Sequence, residues 1–208
     1  MLNRPFVLMA IVLLLSGVAA ETTAQTTVFG GVSVASLWDD ETFLGRGPMV
    51  SGGIAQPIGG HARVEGELAW ATHHRDAGYL AADGTPFIGT ARLSFVFPPP
   101  GARFRPFASA GLAIVRSTGH FTTRTILAGP GGFPVEGPSV RTDWSLTKPA
   151  FEVGAGVTIA SGDRLSWRPE FRWTSTVGTA SSRTGVEAPI WTVRAGLTVE
   201  WRLARGRK

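Results

Sequence analysis

The side chains of this 208-residue chain that could do chemistry are mostly arginines and glutamates set two residues apart. Arg63, Glu65 and Glu67 alternate along one stretch, Arg168, Glu170 and Arg172 along another, and Arg194 and Glu200 along a third; Arg92 and Glu152 stand on similar stretches. A pair such as Glu65-x-Glu67 could serve general acid–base catalysis. Here, however, five glutamates are matched by five arginines of the same phase, which is the composition of a sealed ion-pair network, where an unmatched charge would be costly. His73-His74-Arg75-Asp76 is the other concentration of reactive groups, but adjacent residues of a strand point to opposite faces, so the two imidazoles do not form a chelate. Cysteine is absent, which excludes thiolate metal sites, cysteine nucleophiles and disulfides. Asp83-Gly84-Thr85 and Ala128-Gly129-Pro130-Gly131-Gly132 read as turns, and no helix follows either one to make a phosphate cradle. No catalytic residue, metal or cofactor is expected.

What must position these charges is a set of strands. Eight runs alternate every second residue, over about 27–38, 48–57, 62–74, 87–97, 103–116, 149–160, 164–175 and 190–203. In the last, Trp191, Val193, Ala195, Leu197, Val199 and Trp201 oppose Thr192, Arg194, Gly196, Thr198 and Glu200. The seventh sets Trp167, Phe171 and Trp173 against Arg168, Glu170 and Arg172. Runs one, two and five are rich in Gly, Ala and Ser, and their facing is ambiguous. The connections alternate long and short. Tight turns centre on 58–60, 98–102 and 161–163, whereas long loops fall at 39–47, 75–86, 117–148 and 176–189. Segregating all short turns to one end and all long loops to the other is the plan of an eight-stranded antiparallel membrane barrel.

The aromatic spacing fits the same plan. Trp191 and Trp201 lie ten residues apart on one face, as do Phe87 and Phe97. That is about 34 Å along a strand and roughly 26 Å once tilted by about 40°, close to the apolar height of an outer membrane. With Trp70, Trp167 and Trp173, these residues form the expected aromatic girdle, and the Arg/Glu face is expected to fill the lumen. An eight-strand lumen is only wide enough for side chains to fill it, and several inward tryptophans would overcrowd it.

The flanks complete the picture. Met1 to Arg4 is cationic, Phe6 to Leu15 is unbroken apolar, and Val18 and Ala20 suit a cleavage site, so residues 1–20 read as a signal peptide and 21–208 as the barrel with a short basic tail. The net charge of +5 and a pI near 10.9 would suit a nucleic-acid binder, but the arginines are dispersed and leave no basic stripe, so no nucleic acid is expected as partner.

In strand plan the chain resembles the small outer-membrane β-barrel family of Gram-negative bacteria, the eight-stranded group that includes the OmpA transmembrane domain, OmpX and opacity-type proteins. Arg194-Ala195-Gly196-Leu197-Thr198-Val199-Glu200-Trp201 is similar to the family's C-terminal insertion signal (polar, any, Gly, two of any, hydrophobic, any, aromatic), although the chain continues to Lys208. The resemblance implies a closed all-β barrel in the outer membrane, lipid contact, insertion by the barrel-assembly machinery, and no enzyme activity. Lipid A deacylases of similar size carry His-x-Ser; here the corresponding stretch is His120-Phe121-Thr122, without an evident orienting acid. The expected role is structural or a surface interaction, with loop 117–148, carrying Phe121, Ile126, Leu127, Phe133, Val135 and Trp144, as a candidate extracellular contact. A periplasmic ligand-binding barrel of lipocalin type and a lipid A-modifying enzyme are the alternatives.

Overall fold

The computed structural model describes residues 25–39, 42–78, 80–97, 102–177 and 190–203; the expected signal peptide lies outside the described residues. The alternating runs form β1 (Thr27–Asp39), β2 (Thr42–Pro57), β3 (Ala62–Ala71), β4 (His73–Asp76), β5 (Leu80–Val96), β6 (Phe104–Ala128), β7 (Pro134–Ala160), β8 (Leu165–Thr176) and β9 (Ile190–Arg202). All pairings are antiparallel, and β9 returns to β1 in continuous register from Thr27↔Arg202 to Asp39↔Ile190. Closure leaves the sheet without an open edge along its barrel portion, which is how such a sheet satisfies its backbone groups without water.

Eight staves make this ring, because β3 and β4 are two parts of one. Both pair with β5 in a single register, Trp70↔Phe87 and then His73↔Gly84. The interruption at Ala71–Thr72 has a chemical cause: Pro48 on β2 and Pro86 on β5 stand across from it. Thr72 N–H donates to the Pro48 carbonyl at 3.2 Å, but a proline has no N–H with which to answer.

Several strands are longer than their sequence signal, always at the end away from the termini. The segments 39–47 and 75–86, expected as loops, are mostly strand. So is 117–148: β6 and β7 run on as a two-stranded ribbon, paired from Phe104↔Ile159 to Ala128↔Pro134 and turned by a single 3-10 segment at Pro130–Gly132. Polar Thr, Ser and Arg on both faces of this stretch mask the alternation, yet β-branched residues and cross-strand pairing carry it. The segment 178–189 lies outside the described residues. At the opposite end the turns are tight, as at Ser161–Asp163, where Gly162 takes φ +96° and Ser161 N–H reaches Leu165 O at 2.9 Å.

The structure fixes the phase of the three ambiguous runs. Phe29, Ala35 and Leu37 of β1, Met49 and Ala55 of β2, and Phe107, Ala113 and Val115 of β6 are buried inward, whereas Val32, Val34, Val50, Ile54 and Leu112 are exposed outward. Small residues in these strands make room for the large lumenal ones. A Cβ on Gly111 would sit 2.4 Å from the Ala91 carbonyl oxygen and 2.5 Å from the Arg92 Cβ. Gly111→Ala is therefore expected to destabilise the barrel by about 1–3 kcal/mol, read as a lowered urea midpoint in refolding.

Candidate functional site

Ten lumenal charges on five strands meet as one network. From β3, Glu65 contacts Arg63 Nε at 2.6 Å, Arg92 at 2.5 Å and Arg168 at 2.9 Å. Glu67 receives Arg92 at 2.8 Å, Arg172 at 2.5 Å and Arg194 at 2.7 Å. Glu152 of β7 receives Arg92, Arg172 and Arg194 at 3.2, 3.6 and 2.9 Å. Glu200 of β9 holds Arg63 at 2.6 Å and Arg168 at 3.3 Å, and Glu170 of β8 meets Arg168 at 3.2 Å and also Arg172. Each carboxylate thus serves at least two guanidiniums, and each guanidinium at least two carboxylates. Period-two alternation is what delivers them: cross-strand register sets Glu65 opposite Arg92 and Arg172 opposite Arg194. Arg168 is fully buried. Ser94 Oγ donates to Glu65 at 2.7 Å and Thr174 Oγ1 to Glu152 at 3.0 Å, filling remaining acceptor positions.

Two aromatic side chains enter this layer, from the first and fifth runs, whose facing the sequence leaves open. Phe107 lies under the Arg168 guanidinium, 3.8 Å from ring centroid to charge, and Phe29 under Arg92 at 5.8 Å. Gly156 and Gly53 admit them: a Cβ at either would fall within 2.8 Å of the ring.

Toward the long-hairpin end the lumen changes character. Ala35, Met49, Ala69, Ala71, Ile88, Ala113, Val115 and Ala150 form an apolar layer above the charges. Leu37, Trp144 and Ile190 cap it, with Leu44, Phe121 and Leu146 packed against them. Trp144, one of the apolar residues of the expected loop 117–148, closes the mouth from inside, its indole against Gly84 and Gly119, which lie opposite each other on β5 and β6. Phe121 turns inward with it. Ile126, Leu127, Phe133 and Val135 of the same stretch are exposed on the ribbon. Glu65-x-Glu67 is thus arginine-matched, and the chain interior presents no open carboxylate pair among the described residues.

The aromatic residues expected as a girdle point outward. Trp70, Phe87, Phe97, Trp167 and Trp201 are exposed, and between their two levels lie Leu68, Leu112, Val32 and Leu197. Trp173 and Trp191 also point outward but are half-buried, Trp173 edge-on to Phe151 with centroids 5.1 Å apart and Trp191 stacked on Trp38 at 4.9 Å.

Above the outer aromatic row, His73 and His74 part as strand geometry requires. His74 is exposed and pairs through Nδ1 with Asp83 Oδ1 at 2.7 Å, while His120 Nε2 approaches Asp83 Oδ2 at 3.3 Å. Asp83 is the acid beside His120 that sequence distance conceals. Among the described residues no hydroxyl bonds to His120, so the His120-Phe121-Thr122 stretch lacks an assembled nucleophile. The hydrogen bond and charge of Asp83 raise the His74 pKa above 6.5. That contact stabilises the rim below the ordinary imidazole pKa and fades as pH rises through the raised folded value. Buried His73, with both ring nitrogens unpartnered, is pushed down to about 4 by burial, so its contribution is lost as pH falls from 6.5 toward 4. An NMR titration should show the His74 midpoint above 6.5, returning downward in Asp83→Asn.

No protein-family model and no curated protein matches the sequence. Among solved structures, Neisserial surface protein A is similar with a TM-score of 0.63 at 13% identity, over 86% of this chain and 97% of that one. A major outer membrane protein from Thermus thermophilus gives 0.56 at 12% identity, over 85% and 99%. The fold is that of the small outer-membrane β-barrels.

Proposed function

We propose that the chain resides in the outer membrane as a non-porin, non-enzymatic barrel with a structural or surface-contact role. One observation carries this reading: the polarity is inside out. Guanidinium and carboxylate groups are sealed within the ring, while large apolar side chains cover its outer wall between two aromatic levels. Acyl chains are the solvent that suits such a wall. A periplasmic carrier would need the opposite placement, with an apolar cavity inside, and here the interior is occupied by the ionic layer and its apolar cap. On this reading residues 1–20 direct export and are removed, leaving residues 21–208 as the barrel with its basic tail. The Arg194–Trp201 stretch serves recognition by the barrel-assembly machinery, and the girdle residues Trp70, Phe87, Phe97, Trp167, Trp173, Trp191 and Trp201 set the depth in lipid. The β6–β7 ribbon projects outside the cell, and its exposed Ile126, Leu127, Phe133, Val135 and Val140 favour an extracellular contact made there.

Cell fractionation with gel mobility tests the reading. The protein should sediment with outer membranes and migrate faster unheated than boiled, and vesicles containing it should not swell in sugar solutions. Release by osmotic shock, or swelling at porin rates, would overturn it.

A further inference from the structure

At the short-turn end, where β1 begins and β9 ends, the barrel mouth encloses a cavity of about 270 Å³ bounded by the 59–61 turn and by Arg63, Arg105, Thr158, Glu200 and Arg202. Its charge balance differs from that of the lumen above. Glu200, the carboxylate of this wall, is already engaged by Arg63 at 2.6 Å and Arg168 at 3.3 Å. Arg63 is likewise committed, to Glu65 and Glu200. Arg105 and Arg202 have no ion pair among the described residues, and the buried Arg105 Nε has no hydrogen-bond partner. The charges acting on Arg105 are Arg202, Glu200 and Arg63, so cations predominate. The ten charges of the lumenal network are matched five to five, whereas at this mouth two guanidiniums face one cavity without a free counter-charge. Like charges that share one cavity repel, and an anion between them offsets that repulsion.

We infer that this mouth is a binding site for a soluble phosphate dianion, free or as a small phosphomonoester. A phosphate monoester carries close to two negative charges at neutral pH, matching the two unpaired guanidiniums, and its oxygens suit their bidentate fork geometry. Thr158 and Thr27, which line the same cavity, add hydroxyl donors. The volume admits a small molecule and excludes a folded partner. A lipid headgroup would meet the outer wall, whereas this cavity lies within the ring. That the mouth opens to the periplasm rests on the reading above; the cavity and its charge do not.

The test uses the refolded chain in detergent micelles at low ionic strength, titrated with inorganic phosphate. Saturable binding should shift the Arg105 Nε–Hε resonance. Arg105→Gln should weaken affinity at least tenfold and Arg105→Lys less, while Arg116→Gln on the outer wall should leave it unchanged. Arg202→Gln provides the same test should Arg105→Gln not refold. Equal binding of acetate, non-saturable binding, or loss of binding only when Arg205, Arg207 and Lys208 of the tail are replaced by Gln would overturn the site. Fractionation into another compartment would overturn the outer-membrane reading and leave this titration unaffected.

Discussion

Arg168→Met should cost the barrel about 3–5 kcal/mol, the range for stripping one partner from a buried ion pair. Arg168 is fully buried, touches Glu65, Glu170 and Glu200, and stacks on Phe107. Methionine keeps much of the packing volume, so the loss isolates the charge. What remains is five carboxylates facing four guanidiniums within the ring. Glu200→Gln made on the Arg168→Met background should recover part of the loss, because it removes a stranded charge. A coupling energy above about 1 kcal/mol between the two sites is expected for partners in one network. Urea titration of the refolded protein measures all three variants, and an unchanged midpoint for Arg168→Met would mean that the lumen is solvated.

Leu197→Arg should cost about 2–4 kcal/mol, the penalty for an arginine on the lipid face near mid-bilayer. Leu197 is exposed on β9 between Trp191 and Trp201 and pairs across to Val32 on β1, also exposed. The control is Val140→Arg on the ribbon, also exposed but beyond the apolar band, where the change should stay within about 0.5 kcal/mol. Refolding into lipid vesicles distinguishes them. If both substitutions are silent, the outer wall is facing water.

The strands whose two faces differ in chemistry can be phased from sequence. In β3, β5, β7, β8 and β9, charge and bulk alternate, so alternation alone assigns Glu65, Arg92, Glu152, Arg168 and Arg194 to one interior. In β1, β2 and β6 both faces carry small residues, and only their partners decide the phase. Phe29 and Phe107 are inward because Gly53 and Gly156 vacate the space for their rings, which is a relation between strands and invisible along either one. The direction of Trp144 is not legible along its own strand for a similar reason: it sits in polar sequence, and its burial comes from Gly84 and Gly119 on neighbouring strands. The His74–Asp83–His120 row spans three strands and is created by register alone. The division between β3 and β4 arises from prolines more than ten residues away in either direction. Local alternation therefore specifies direction, and long-range pairing specifies composition of each layer.

The ribbon formed by β6 and β7 continues twelve residues past Arg116, which lies opposite Phe87 at the outer aromatic level. At about 3.4 Å per residue and a tilt near 40°, its end stands roughly 30 Å above that level. On the proposed placement in an outer membrane, such a stalk would lift Ile126, Leu127 and Phe133 well clear of the lipid headgroups. An approaching body would then meet a small oily tip first, and the continuous β6–β7 pairing behind that tip would carry the load of an attachment into the barrel wall.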